Sequence, residues 1–250
     1  MKARWALDHY GIPYRSLAYT PGIGEPWLRW KINKWSGRVA VPVLVTPTET
    51  LCDSFAIAQW ADAYSKQPEF HNLFPDNHAD TIASWNKRCD QLMAFDRNRF
   101  VQNVPKTPEL KRQMAPSVLL WLPFRSYIAE AAGGIAMTQF LNKWKDVADV
   151  TNLDQARSTL QQLRAALASN NGSYILGTFS FADVVMAVAV YVLCPPGGKF
   201  TVIAKGLPTT SPDLYDEFKD LIPWADSVFD KWCPESTSSV HCSNTWKQAH

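Results

Sequence analysis

The chain has 250 residues, 46% of them hydrophobic and 19% charged, and its formal net charge is +2. This composition indicates a folded protein with enough length for one large buried core or two modest ones, and it excludes a disordered or coiled-coil chain. The near balance of charges gives no indication of a nucleic-acid or membrane partner. The longest apolar run, residues 184–194, is well short of the roughly 20 residues that span a bilayer.

The first elements of the chain predict a helix and then a weak strand. The helix covers residues 2–10 and ends at Gly11, a residue that commonly terminates helices. Residues 14–19 are the strand candidate. Residues 25–35 are basic and rich in tryptophan, and their pattern does not predict a particular secondary structure.

A strand and an amphipathic helix follow. Residues 39–46 are rich in β-branched side chains and predict one strand, although Pro42 lacks the N–H that a ladder needs. Pro42 is tolerable at the entrance of the strand, and a cis Val41–Pro42 bond would turn the backbone of Val41 outward, free to pair with a ligand. After a turn, residues 53–64 have the spacing of an amphipathic helix.

Asp53 and Ser54 stand where the caps of this helix are expected. A helix N-terminus with a hydroxyl and free N–H groups is suited to bind an anion. An exposed backbone edge at Val41 beside such a pocket suits a small peptide that carries a carboxylate.

Beyond residue 65 the strand signals nearly vanish. Residues 65–80 contain two prolines and resemble an interdomain linker. Helical patterns then cover residues 81–100, 116–144, 153–168, 184–193 and 213–232, and a polar tail closes the chain.

The start of one of these helices has a specific signature. Ser180 and Asp183 have the spacing of a capping box, with Phe179 and Val184 placed for a hydrophobic staple. Residues 184–190 are apolar on every side, so this helix is expected to be buried all round.

Val41-Pro42 followed by Asp53-Ser54, together with the Gly177…Ser180-Phe181-Ala182-Asp183 segment, resembles the cytosolic glutathione S-transferase superfamily. The resemblance implies an α/β thioredoxin-like domain over 1–66 that lacks its first strand, a linker at 67–80, an all-α domain over 81–233 and a polar tail at 234–250. It also implies a cytoplasmic homodimer that uses glutathione as co-substrate.

The resemblance also implies roles for six residues. Val41, before the cis Pro42, would pair with the cysteinyl backbone of glutathione, and Asp53 and Ser54 would bind its γ-glutamyl end. Its glycine carboxylate needs a cation, for which Lys31 and Arg38 are the candidates, with Lys34 also open. Aromatic residues of 121–127 are candidates for lining an electrophile pocket, although a core role is the better prediction for them.

The residue that would activate the thiol is unknown. In the family a Tyr, Ser or Cys at the end of the first strand or the start of the first helix does this. Tyr10, Tyr14, Ser16 and Tyr19 lie after the helix, outside the matching position. We therefore expect the natural protein to extend upstream of Met1, and we expect weak or no conjugating activity from the chain as given.

The five cysteines show no C-x-x-C pair, which favours reduced thiols in a cytosolic protein. Cys52 is a redox candidate beside the site, and Cys233 with His241 and Cys242 is a weak metal candidate; we favour neither.

Two functions remain open. The first is a transferase that conjugates the glutathione thiolate to an apolar electrophile, or reduces a substrate with it. The alternative is a non-catalytic binding or protein-interaction module of the same fold.

Overall fold

The computed structural model describes residues 1–17, 19, 24–37, 39–65, 70–103, 152–194 and 211–234. Arg38, the predicted helix over 116–144 with its aromatic candidates, and the tail from residue 235 lie outside these ranges. The α-helices described are α1 (Lys2–His9), α2 (Glu25–Lys31), α3 (Ser54–Ser65), α4 (Ala79–Asn103), α5 (Leu153–Ser169), α6 (Phe181–Leu193), α7 (Pro212–Phe218) and α8 (Ile222–Trp232). Short 3₁₀ turns occupy Asp76–His78 and Lys219–Leu221.

The sheet is smaller than the sequence predicted. In the described part of the chain it consists of β1 (Leu44–Val45) and β2 (Thr50–Leu51), which pair antiparallel. The strand expected over 39–46 was therefore too long, because β2 offers only two partners and Pro42 has no N–H to donate. The strand expected at 14–19 was also wrong, since 14–17 and 19 have no regular structure.

The helices mostly follow the predicted bounds, with two differences. The undecided segment 25–35 forms α2, which has Pro26 in its first turn and an ion pair between Arg29 and Glu25 at 2.7 Å. The single helix expected over 213–232 is interrupted by the 3₁₀ turn, and α8 restarts with Pro223 in its first turn. Proline has no N–H for the preceding turn, so a new helix start accommodates it where a helix interior would not.

Helix α6 forms the centre of the core. All of its residues are buried, and its most extensive packing is against α4 and α8. The predicted capping box is present: Asp183 Oδ2 accepts from Ser180 N at 2.9 Å and from Ser180 Oγ at 3.0 Å. Phe179, expected as part of a staple, stacks on Trp232 of α8 with ring centroids 4.2 Å apart.

Helix α1 packs against both α3 and α6. The Tyr10 hydroxyl at its end donates to Asp62 of α3 and accepts from Leu73 N at 2.9 Å. The Leu73 carbonyl in turn accepts from Phe181 N at 2.9 Å. This chain of hydrogen bonds joins the C-terminal ends of α1 and α3 to the start of the core helix.

Candidate functional site

The β-hairpin positions the residues of the predicted site. Its turn is closed by Thr46, whose N–H donates to the Glu49 carbonyl at 2.9 Å, and its ladder pairs Leu44 with Leu51. Val41 and Pro42 precede the first strand of this hairpin, and Asp53 and Ser54 follow the second. The two halves of the sequence motif, eleven residues apart along the chain, therefore belong to the same end of one hairpin.

The backbone of Val41 is available to a ligand. The Val41–Pro42 peptide bond is cis, and the Val41 residue is 50% exposed. Among the described residues nothing hydrogen-bonds to its N–H or its carbonyl. An extended peptide laid alongside would find one donor and one acceptor there.

Asp53 caps α3 with its side chain. Its Oδ2 atom accepts from Phe55 N at 3.0 Å and from Ala56 N at 3.2 Å, and its carbonyl accepts from Ile57 N at 2.9 Å. The Asp53 side chain thus satisfies two of the N–H groups that lack a partner within the helix, and a third N–H of the first turn makes the first regular helical bond to the Asp53 carbonyl. Asp53 is exposed, and its other carboxylate oxygen makes no hydrogen bond within the described part of the chain.

Ser54 supplies the fourth N–H of the first turn, and this group is open. Neither its N–H nor its hydroxyl has a hydrogen-bond partner among the described residues. The residue is nevertheless only 8% exposed. A nearly buried residue with two unused polar groups at the positive end of a helix is suited to receive a carboxylate.

The ammonium of Lys2, at the start of α1, is held by two side chains of α4. Lys2 Nζ donates to Asp90 Oδ1 at 2.7 Å and to Asn86 Oδ1 at 3.2 Å, both on α4. Burial opposes the charge of this ammonium, but the negative charges around it outweigh burial and raise its pKa; Asp90 and Asp53 are among them. Lys2 is therefore held as a cation against α4.

The lysines predicted to bind the glycine carboxylate of glutathione lie on the surface. Lys31 and Lys34 are exposed, and neither makes an ion pair within the described ranges. Arg29 instead organises this segment, because its guanidinium donates to the Lys34 carbonyl at 3.3 Å and to the Gly37 carbonyl at 2.9 Å. It thus orders the segment that leads to Val41.

The two tyrosine hydroxyls closest to α1 are engaged with other side chains. Tyr10 lies at the opposite end of α1 from Lys2, and burial together with its bond to Asp62 raises its pKa. Burial also raises the pKa of Tyr14, whose hydroxyl accepts from Arg4 Nε at 3.0 Å. Ser16 is exposed and Tyr19 partly exposed.

Four of the five cysteines lie within the described residues. Cys52, Cys89, Cys194 and Cys233 are free thiols, of which only Cys52 is exposed. Burial raises the pKa of Cys233 to about 12. In the ranges that the structure covers, no group of His, Cys, Asp and Glu side chains could hold a metal ion, and His241 and Cys242 lie outside them.

Sequence reasoning missed two residues of this region, Lys2 and Arg29. Lys2 is separated by 51 residues from Asp53, so only the packing of α1 on α3 relates them. Arg29 had a local signal, because Glu25 stands four residues before it in a segment whose fold was left undecided.

The N-terminal region is a helix-rich α/β unit, and a helical region follows it along the chain. This architecture is consistent with a glutathione S-transferase-like fold. Residues 1–63 match the family model described as "Glutathione S-transferase, N-terminal domain". The N-terminal part of the chain is thus similar to the N-terminal domain of the glutathione S-transferase family. No curated protein and no solved structure matches it. Within the residues described, none of the helices is long and apolar enough to cross a membrane.

Proposed function

We propose that the chain binds glutathione at the hairpin end formed by Val41, Pro42, Asp53 and Ser54. The observation that carries the proposal is Ser54, which is 8% exposed and keeps its N–H and hydroxyl without partners among the described residues. A ligand carboxylate can accept from both groups at the positive end of the helix.

The remaining parts of glutathione fit the neighbouring groups. The α-carboxylate of its γ-glutamyl residue accepts from Ser54, and the α-ammonium donates to the carboxylate oxygen that Asp53 does not use for capping. The cysteinyl backbone pairs with the N–H and carbonyl of Val41. Lys31 or Arg38 then neutralises the glycine carboxylate.

The reaction proposed is transfer of the glutathione sulfur to an apolar electrophile. The thiol loses its proton to solvent, sulfur forms a bond to the electrophilic carbon, and the leaving group departs with the electron pair. Glutathione-dependent reduction is the related outcome. Sulfur attacks a peroxide, which breaks the O–O bond, releases an alcohol and leaves a sulfenic acid, or it attacks a disulfide, which breaks the S–S bond, releases a thiol and leaves a mixed disulfide. A second glutathione then displaces water or the remaining thiol and forms glutathione disulfide.

Calorimetric titration with glutathione tests the binding proposal. We expect wild type to bind and Ser54→Ala to weaken the affinity by about tenfold, because one charge-assisted hydrogen bond is lost. Ser158→Ala on the exposed side of α5 is the matched control and should bind as wild type does. Equal affinities for wild type and Ser54→Ala would remove this site from consideration.

The second candidate is a non-catalytic binding module with the glutathione S-transferase fold, and one observation favours it. The tyrosine hydroxyls of α1 and its following loop, Tyr10 and Tyr14, are both engaged with other side chains. Turnover of an aromatic halide with glutathione would support the transferase. Glutathione binding without turnover of a halide, a peroxide or a disulfide would support the binder.

The domain organisation is part of the same proposal. We assign the glutathione site to a domain over 1–66, the linker to 67–80 and a helical domain to 81–233, with the tail at 234–250. A homodimer in the cytoplasm is the expected state of the molecule, and sedimentation of the purified chain tests the oligomer.

A further inference from the structure

Three tryptophans in and just after α2 lie on the surface of the protein. Trp27 is 47% exposed, Trp30 63% and Trp35 65%. None of these three indoles has a hydrogen bond or a ring contact with a described residue. The other tryptophans that the structure describes all have one or the other; they are Trp5, Trp60, Trp85, Trp224 and Trp232. The exposed indoles therefore contribute little to the packing of the fold.

Helix α2 directs its tryptophans away from the core. Its buried residue is Leu28, so this side of the helix faces the interior. Trp27 and Trp30 are three residues apart, and Lys31 comes four residues after Trp27. Residues at these spacings are neighbours on a helix surface. Two indoles and one ammonium therefore share an outer face of α2.

The segment after α2 folds back on the helix and keeps Trp35 close to it. Asn33 has a φ of 51°, and the N–H of Lys34 donates to the Arg29 carbonyl at 3.0 Å, as in a Schellman helix end. The Arg29 guanidinium donates to the carbonyls of Lys34 and Gly37, one on each side of Trp35 in the sequence. The exposed rings therefore belong to one ordered segment.

The open charges of this segment are positive. Arg29 is paired with Glu25 at 2.7 Å, whereas Lys31 and Lys34 are exposed and make no ion pair with a described residue. The formal net charge of the whole chain is only +2, so the overall composition does not reveal this local patch. We name the patch the tryptophan surface; it consists of Trp27, Trp30, Lys31, Lys34 and Trp35.

Indole rings together with ammonium groups suit the headgroup region of a lipid bilayer. Tryptophan is enriched there because its ring is apolar while its N–H can bond to water or to a headgroup. Lysines beside the rings are attracted to anionic phospholipids. Single-stranded nucleic acid also stacks on aromatic rings, but its binding requires a positively charged groove along the backbone. Two lysines provide little of such a groove, so the bilayer is the better match.

We propose that the tryptophan surface binds bilayers that contain anionic phospholipids. The indoles lie among the headgroups, and the two lysines pair with lipid phosphates and carboxylates. The association is peripheral and reversible, because it uses a short surface helix and the turn that follows it. It goes beyond glutathione binding and does not depend on it.

Sedimentation with sucrose-loaded vesicles tests the proposal, using the full chain without glutathione. We expect wild type to sediment with vesicles of phosphatidylserine and phosphatidylcholine in equal parts, and far less with phosphatidylcholine alone. Trp30→Ser should lower the partition coefficient by about tenfold, because one ring no longer leaves water. Trp35→Ser, outside the helix, should act similarly and replaces Trp30→Ser if the latter does not fold. Tyr64→Ser, which removes a 65% exposed ring of α3, is the control and should bind as wild type does.

The lysines have a test of their own. Lys31→Gln and Lys34→Gln should each lower the partition into the mixed vesicles by about fivefold, as expected for a lysine near an anionic surface. Added salt should weaken the binding of wild type more than that of the double variant. Lys87→Gln removes an exposed lysine of α4 and should have no effect.

Four results would overturn the proposal. The first two are wild-type protein that does not sediment with the mixed vesicles, and equal sedimentation with both kinds of vesicle. The third is a loss after Tyr64→Ser as large as that after the tryptophan substitutions. The fourth is unchanged sedimentation of both tryptophan variants. In the absence of vesicle binding, affinity for oligothymidylate that Trp30→Ser abolishes would assign the surface to nucleic acid. A dimer that the same variant dissociates would then assign it to a second copy of the chain.

Discussion

The starts of α3 and α6 are built from the same residue types but are completed differently. At α6, Asp183 and Ser180 satisfy each other, and Asp183 Oδ1 also accepts from Ile175 N at 2.8 Å, with all three residues buried. At α3, Asp53 caps from an exposed position while Ser54 keeps its polar groups open. A helix start completed from within stabilises the fold, whereas one left incomplete is suited to be completed by a ligand.

Removing Asp183 should have the largest effect on stability. Asp183→Ala leaves Ile175 N and Ser180 N buried without acceptors, so we expect a loss of about 3–4 kcal/mol in the free energy of unfolding. Urea denaturation followed by circular dichroism measures it. Asp216→Ala, an exposed residue whose ion pair with Lys219 spans 3.7 Å, is the control and should change stability by less than about 0.5 kcal/mol. A small effect of Asp183→Ala on stability would contradict the view that the start of α6, unlike that of α3, stabilises the fold.

The same carboxyl should make stability depend on pH. Burial raises the pKa of Asp183 to about 6, despite hydrogen bonds that favour the ionised form. The folded state therefore holds a proton that the unfolded state releases, and the stabilisation is complete below about pH 4 and is lost as pH rises through about 6.

Comparison with Asp183→Asn isolates this group. We expect the stability difference between wild type and the variant to shift against wild type by about 2–3 kcal/mol from pH 4 to pH 7. Urea midpoints across this range measure the shift. A flat difference would mean that the capping carboxyl is ionised as easily in the fold as in water.

The link between the two regions should have a smaller effect. Tyr10→Phe removes the hydroxyl that joins Asp62 and Leu73 N, and we expect a loss of about 1–2 kcal/mol in unfolding free energy. Tyr64→Phe, at an exposed position of α3, should be neutral. Identical urea curves for both variants would show that this hydroxyl does not join the α1–α3 pair to the core helix.

Contacts between residues close in sequence could be predicted from local sequence patterns. The capping box at α6 needs only Ser180 and Asp183 three residues apart, so its contacts could be read from the sequence. Asp53 and Ser54 were placed at the start of α3 by the same reasoning. Arg38 and the aromatic residues of 121–127 keep the status of predictions, because they lie outside the described ranges.

Features that depend on distant partners could not be predicted in this way. The length of β1 is set by β2, so the β-branched run at 39–46 suggested more strand than the hairpin holds. The position of Lys2 depends on α1 packing beside α3 and on the acceptors Asn86 and Asp90 of α4. Neither relation leaves a pattern in the sequence around Lys2.

A crystal structure of the protein soaked with glutathione tests the central claim most directly. We predict the γ-glutamyl carboxylate within about 3 Å of Ser54 N and Oγ, and the cysteinyl backbone paired with Val41. Glutathione bound elsewhere, or a Ser54 pocket left empty at saturating glutathione, would contradict the account.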